Sequence, residues 1–370
     1  TSAPTISKGA LLIKVVNSCI SAGTEMSGVT NSGKPLLKRA LEQPAQVAKV
    51  INLARNAGVS KTIAKVKGTL EAGNPTGYSA CGIVIEVGEG VNGYHIGDRV
   101  AAAGAGLANH AELINVPENL VCKIPDHLPF KEASTVTLGA ISMQGVRRAD
   151  LRFGELCVVF GAGILGLLAI QMLRISGIRV AAIDFDGDRL TISKKLGAEL
   201  VLNPKNEDIV KTIGSWTGGN GADAVLFTAA TGSSEPLSQC FQMCKKKGRV
   251  VLVGVSGMQI KREDIYQKEI DFLISTSYGP GRYDDRYEQK GYDYPFAYVR
   301  WTENRNMGEY LRLLQEGSIK LDRLIQNTFS IQDVTRAYEA LGDPEKKPLL
   351  VILDYVEPQA DELNHYRQSS

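Results

Sequence analysis

"VVFGAGILGLLAIQML", residues 158–173, reads as a short apolar strand, a glycine turn and the opening of a helix. Gly161, Gly163 and Gly166 stand between the two elements in the spacing G-x-G-x-x-G. The first glycine permits the tight turn, the second lets a phosphate approach the backbone, and the third lets helix and strand pack closely. Free N–H groups at the helix start favour an anion. Gly161, Gly163, Ile164, Leu165 and Gly166 are therefore expected to cradle the pyrophosphate of a dinucleotide.

The next strand, "VAAID", ends at Asp184, 18 residues beyond Gly166. A carboxylate there accepts hydrogen bonds from ribose hydroxyls and repels a 2′-phosphate, which favours NAD over NADP. Phe185 joins the expected cofactor set, and Arg189 tempers the preference because a nearby cation suits a phosphate. "FTAA" (227–230) and "VGVS" (253–256) end two later strands. Ligands lie outside the carboxyl ends of such strands, so Thr228, Ala230, Gly254 and Val255 are expected on the ribose–nicotinamide side.

Around this core the chain divides. Residues 1–131 carry short strand patterns, "ALLIKVV", "CGIVIEVGEGV", "GDRVAAA" and "NLVCKIP", punctuated by Gly, Pro, Asn and Asp. A basic helical interlude interrupts them at 31–72. From 132 to 316 strands alternate with helices, and six near-continuous apolar strands predict an α/β fold with a doubly wound parallel Rossmann sheet. An aromatic loop at 278–301 holds six tyrosines and Trp301, with Arg282, Arg286 and Arg300. Such a loop suits a carbohydrate or a subunit contact. Residues 317–370 include "LLVILDY", a strand that returns to the first region.

The chain has 370 residues, with 42 Lys plus Arg against 40 Asp plus Glu. That balance argues against a nucleic-acid or acidic-membrane partner. No apolar run approaches the length of a membrane span, and the start lacks a signal-peptide pattern. The six cysteines lack zinc-ribbon spacing and read as reduced, buried thiols of a cytoplasmic protein.

The chain resembles the medium-chain dehydrogenase/reductase superfamily in "GAGILG", "IDFDGDRLTISKKLGAELVLNP", "GADAVLFTAA" and "GRVVLVGVS". "SCISAGTE", "SYGPGRYD" and "DYPFAYVRWTENRNM" look more narrowly like the dehydrogenase half of two-domain bacterial oxidoreductases linked to sugar or polysaccharide metabolism. The resemblance implies a GroES-like catalytic region beside the Rossmann one, pairing of copies through the strand "IDFLISTS" into a dimer or tetramer, and a sugar-like substrate. It also implies front strands and a second domain not contained in these 370 residues.

In zinc-containing members the metal is held by a cysteine, a His-Glu pair and a later ligand. The matching positions here are Ser21, Tyr78 with Ser79, and Ala140. Hydroxyls and a methyl group are poor zinc donors, so no zinc is expected. A side chain must then handle the proton of the substrate oxygen. Tyr78 is the first candidate, with Ser21, Ser79 and Thr24 as relays, then His110 and Glu25. The resulting expectation is a zinc-independent NAD-dependent oxidoreductase acting on a secondary alcohol or ketone of a sugar, cyclitol or sugar derivative. Its rivals are an NAD(P)H-dependent C=C or quinone reductase and a non-catalytic nucleotide-binding partner.

Overall fold

A computed structural model describes residues 3–23, 75–343, 348–359 and 361. The interlude expected at 31–72, with Thr24 and Glu25 before it, lies outside the described residues.

The apolar run "ALLIKVVNSCIS" forms β1 (Ala10–Ser21), buried along nearly its whole length. β2 (Ser79–Val87), β3 (Arg99–Ala103), β4 (Leu113–Pro117) and β5 (Val121–Lys123) follow. β1 pairs antiparallel with both β2 and β4, which satisfies its backbone on both edges, while its side chains are buried on the faces of the sheet. Asn17, Ser18 and Ser21 are buried in it as well, so each requires a hydrogen-bond partner.

The second sheet contains β6 (Leu156–Phe160), β7 (Arg179–Ile183), β8 (Leu200–Leu202), β9 (Ala222–Phe227), β10 (Cys244–Leu252) and β11 (Asp271–Ile274). Its order is β11-β10-β9-β6-β7-β8 with every pairing parallel. This is the doubly wound arrangement the apolar strands predict. Between the strands run helices α1 (Val136–Ala149, entering the sheet), α2 (Ile164–Ile175), α3 (Gly187–Lys195), α4 (Ile209–Trp216) and α5 (Glu235–Met243). With both faces covered, the strands have no solvent face to make polar. Phe160 and Phe227 stack across β6 and β9 with centroids 5.4 Å apart. The winding reverses between these two strands, which leaves a crevice beyond their carboxyl ends.

The aromatic loop packs beside residues 118–120, where Asn119 Nδ2 donates to the Tyr287 carbonyl at 2.8 Å. Within the loop Tyr287 and Tyr294 stack at 5.3 Å, and Arg282 pairs with Glu288 at 2.6 Å. Helix α6 (Glu303–Gln315) follows, its first turn capped by the Thr302 hydroxyl. After β12 (Ile325–Ser330) and helix α7 (Val334–Gly342), β13 (Leu350–Asp354) pairs antiparallel with β1 and parallel with β12. The late chain thus rejoins the first sheet, as "LLVILDY" predicts. β4 and β12, both short, carry no such signal in the sequence.

All six cysteines are buried as free thiols. Burial pushes the Cys122 and Cys244 thiols up to about 12, so they persist in the protonated, unreactive form at neutral pH. Among the described residues no helix is long and apolar enough to cross a membrane.

Candidate active site

The crevice beyond β6 and β9 opens into a cavity of about 460 Å³, lined from both sheets. Gly161, Gly163, Asp184 and Thr228 enter from the second sheet, and Ser21, at the end of β1, enters from the first. Leu138 and Ile141 of α1 lie between them.

The three glycines have three different reasons to be glycine. Gly161 takes a φ of +106°, and a Cβ there would meet the Ala229 backbone nitrogen at 2.6 Å. A Cβ on Gly166 would lie 1.9 Å from the Gly161 carbonyl oxygen, so this residue sets the closeness of helix and strand. At Gly163 a Cβ would meet nothing within 4 Å, although the residue lines the cavity. The space a side chain would fill at 163 is a cradle open to a ligand. Helix α2 starts there with no side-chain cap and no acidic residue in its first turn. Its leading N–H groups have no partner within the helix and face the cradle with partial positive charge. This fits a pyrophosphate.

Thr228, expected on the ribose–nicotinamide side, lines the cavity, and its hydroxyl also donates to the Gly161 carbonyl at 2.6 Å and so braces the turn. Asp184 accepts from the Ala162 N–H at 2.6 Å and from the Asp186 N–H at 2.9 Å, which fixes its carboxylate at the end of β7. Arg189 places Nε 3.7 Å from the Asp186 carboxylate. Arg189 nevertheless lines the cavity. Phe185, 53% exposed, presents its ring at the same edge.

Ile164, Leu165 and Ala230 also line the cavity, whereas Gly254 and Val255 do not. A Cβ on Gly254 would lie 2.0 Å from the Ala229 carbonyl oxygen, and Val255 bridges to Ala230, so both serve the strand ends. Thr231, Pro236 and Leu349 also line the cavity, without a signal of their own in the sequence, being small or apolar side chains placed by topology. The aromatic loop contributes none of the lining residues.

On the opposite wall only Ser21 of the candidate pair reaches the cavity; Tyr78 is buried outside the lining, its hydroxyl 2.7 Å from Ser21 Oγ. Ser79 Oγ donates to the Ser134 carbonyl at 2.6 Å and accepts from the Thr137 N–H at 3.1 Å, which ties β2 to the start of α1. His110 is outside the cavity lining, its Nδ1 2.8 Å from Ser18 Oγ. The structure therefore brings Tyr78 and Ser21 together and sets His110 apart; Glu25 lies outside the described residues.

The positions that correspond to zinc ligands do not fit the metal. Ser21 and Tyr78 hydrogen-bond each other, Ser79 is taken up by the backbone, and Ala140 is a buried methyl. Neutral hydroxyls do not replace the thiolate, imidazole and carboxylate donors that Zn²⁺ requires.

Residues 165–289 match the family model described as zinc-binding dehydrogenase. That match begins beyond Ser21, Tyr78, Ser79 and Ala140. The chain is 32% identical over 220 residues to a (R,R)-butanediol dehydrogenase of Bacillus subtilis, covering 52% of this chain and 62% of that relative, less than two thirds of its length. It is 28% identical over 270 residues to a D-guloside 3-dehydrogenase of Shigella flexneri, covering 71% and 72% of the two chains. An alcohol dehydrogenase from E. coli CFT073, solved in complex with NADH, superposes with a TM-score of 0.71 at 19% identity, covering 96% of this chain and 94% of that one. Sequence and fold likeness together support the medium-chain dehydrogenase/reductase resemblance read from the glycine turn outward.

Proposed function

We propose that the protein is an NAD-dependent oxidoreductase that interconverts a secondary alcohol and a ketone on a sugar, cyclitol or related polyol without zinc. The observation that carries this reading is the cavity itself. It offers an open, uncapped helix start at Gly163 and a fixed carboxylate at Asp184 on one wall, and on the other Ser21, whose hydroxyl is hydrogen-bonded to the buried Tyr78.

Gly161, Gly163, Ile164 and Leu165 would hold the pyrophosphate, and Asp184 the adenosine ribose. When bound, NAD supplies the hydride acceptor. The chain's own residues do the rest. Ser21, backed by the Tyr78 hydroxyl, presents its own hydroxyl where a substrate oxygen gains negative charge, a task a metal ion performs in zinc enzymes. Tyr78 gives or takes a proton there, with Ser21 as the hydrogen-bonded link between phenol and substrate. Leu138 and Ile141 exclude water, which strengthens those hydrogen bonds. The D-guloside relative supports a sugar-like substrate, and the NADH complex of the structural neighbour supports the cofactor.

Fluorescence titration with NADH and NADPH, on protein assayed for zinc, tests the reading. Tighter NADH binding without stoichiometric zinc, followed by NADH formation from a sugar or diol, is the expected result. Stoichiometric zinc would overturn the metal-free chemistry. A preference for NADPH with turnover of enones alone would make the protein a reductase of C=C bonds.

A further inference from the structure

Two guanidiniums close on one indole at the end of the aromatic loop, just before α6. Arg147, near the end of α1, places its guanidinium carbon 3.4 Å from the Trp301 ring centroid, and Arg300 places its own at 3.8 Å. Arg300 also lies 4.6 Å from the Phe296 centroid, so two rings hold it. Stacking occupies the faces of a guanidinium and leaves its N–H edge free for an anion.

The protein does not match the charge of this pair. Among the neighbouring arginines, Arg282 pairs with Glu288, Arg305 with Asp293, and Arg312 with Glu309 and Glu316. Arg147 donates instead to neutral groups, Asn306 Oδ1 at 2.9 Å and Met143 Sδ at 3.3 Å. Arg300 is exposed, and among the described residues it has no hydrogen bond or ion pair. Glu309 attracts both, but Arg312 takes its two carboxylate oxygens at 3.0 and 2.7 Å. Burial lowers the half-buried Arg147 to about 10, against the pull of Glu309 and with the help of Arg300, and it keeps its charge at neutral pH. Arg148, exposed at the same end of α1, adds a further positive charge. Two like charges on one indole repel, and an anion from outside relieves that repulsion.

We propose that the Arg147–Trp301–Arg300 stack binds the phosphate group of a small phosphorylated ligand. A phosphate monoester carries a charge of about −1.5 to −2 at pH 7 and three acceptor oxygens. That suits two unmatched guanidiniums and the forked donors of Arg300. A single carboxylate would leave one cation unmatched. Neither arginine lines the cavity at the glycine turn, nor does Trp301, so this site is additional to the pyrophosphate cradle. It stands whether or not the chain oxidises a sugar.

The chain has two tryptophans, so in Trp216→Phe all indole emission comes from Trp301. The full chain with that change, with NAD added to occupy the glycine turn, is titrated at constant ionic strength with inorganic phosphate, glucose 6-phosphate and the monoanion glucuronate. Expected is a saturable change in emission with both phosphates, as the anion draws Arg300 from the indole, and binding of glucuronate weaker by about tenfold. Arg300→Gln should weaken phosphate binding by about tenfold at an unchanged melting temperature, and Arg300→Lys, which keeps the charge without the fork, by less. Binding should also weaken as pH falls through about 6, where phosphate loses its second charge. Calorimetry on the wild-type chain and Arg300→Gln repeats the comparison without the change at Trp216. No saturable binding of phosphate, equal affinity for glucuronate, or binding untouched by Arg300→Gln would overturn the site. Dissociation of an oligomer by Arg300→Gln in sedimentation would overturn it too, by making the stack a contact between copies.

Discussion

The two walls of the cleft are built from different materials. The wall at the glycine turn is mostly backbone: glycines and a helix start, with Asp184 the one carboxylate among the described residues that line it. The facing wall depends on side chains: Ser21 lines it from the end of β1, held by the buried Tyr78, a partner 57 residues away. A backbone cradle tolerates change in almost any side chain around it but none in its glycines. A side-chain wall depends instead on each polar group finding its partner across the sheet.

This contrast can be broken most forcefully at Tyr78. Tyr78→Phe keeps the ring and removes the hydroxyl, and kcat is expected to fall about a hundredfold, in line with loss of a positioned acid/base group. NADH affinity should stay within about twofold, because the change leaves the opposite wall intact. Equal loss of both would mean that the walls are not separate.

The glycines sharpen the comparison within one motif. Gly163→Val fills open space, so the melting temperature should hold while NADH binding weakens by tenfold or more, about 1.4 kcal/mol. Gly166→Ala drives a methyl into the Gly161 carbonyl, and there the melting temperature itself should drop by several degrees. Thermal denaturation with and without NADH separates the two. Asp184→Ala is next in size: NADH should bind about tenfold more weakly while NADPH gains relative to it. An unchanged cofactor ratio would remove Asp184 from the discrimination.

The smallest expected effect lies outside both walls, at Glu303. Its carboxylate is buried beneath the aromatic loop with neither oxygen hydrogen-bonded. Burial, then the nearby Glu288, pushes it up to about 9 against the pull of Arg282. The folded protein holds this proton where the unfolded chain, titrating near 4.5, has lost it. Stability from the group is therefore complete below pH 4.5 and falls as pH rises toward about 9. Glu303→Gln should raise the melting temperature at pH 8 by about 3 °C and leave it nearly unchanged at pH 4.5. A difference independent of pH would rule out the buried proton.

The nucleotide wall was legible in the sequence because its elements are local. Gly161, Gly163 and Gly166 fall within one turn, and Asp184 ends the very next strand. The catalytic wall was legible only in part. Tyr78 and Ser21 could be placed by resemblance, but their contact depends on the pairing of β1 with β2. Ser18 passed unremarked, although "NSCIS" does mark polar residues inside an apolar strand, each of which needs a buried partner. Gly254 and Val255 were placed at the right strand end yet sit outside the lining, because a turn beyond β10 folds them under Ala229. Leu138 and Leu349 left no trace, since an apolar residue in a helix or before a strand is ordinary until topology turns it toward a ligand.

The pairing of β1 with β13 bears on the order in which the molecule is made. Asn17 waits for Asp354, a partner 337 residues further along the chain. The second sheet draws all its strands from one uninterrupted stretch and needs no such wait. On the ribosome the sheet that carries the glycine turn can be finished while the first sheet still lacks a neighbouring strand.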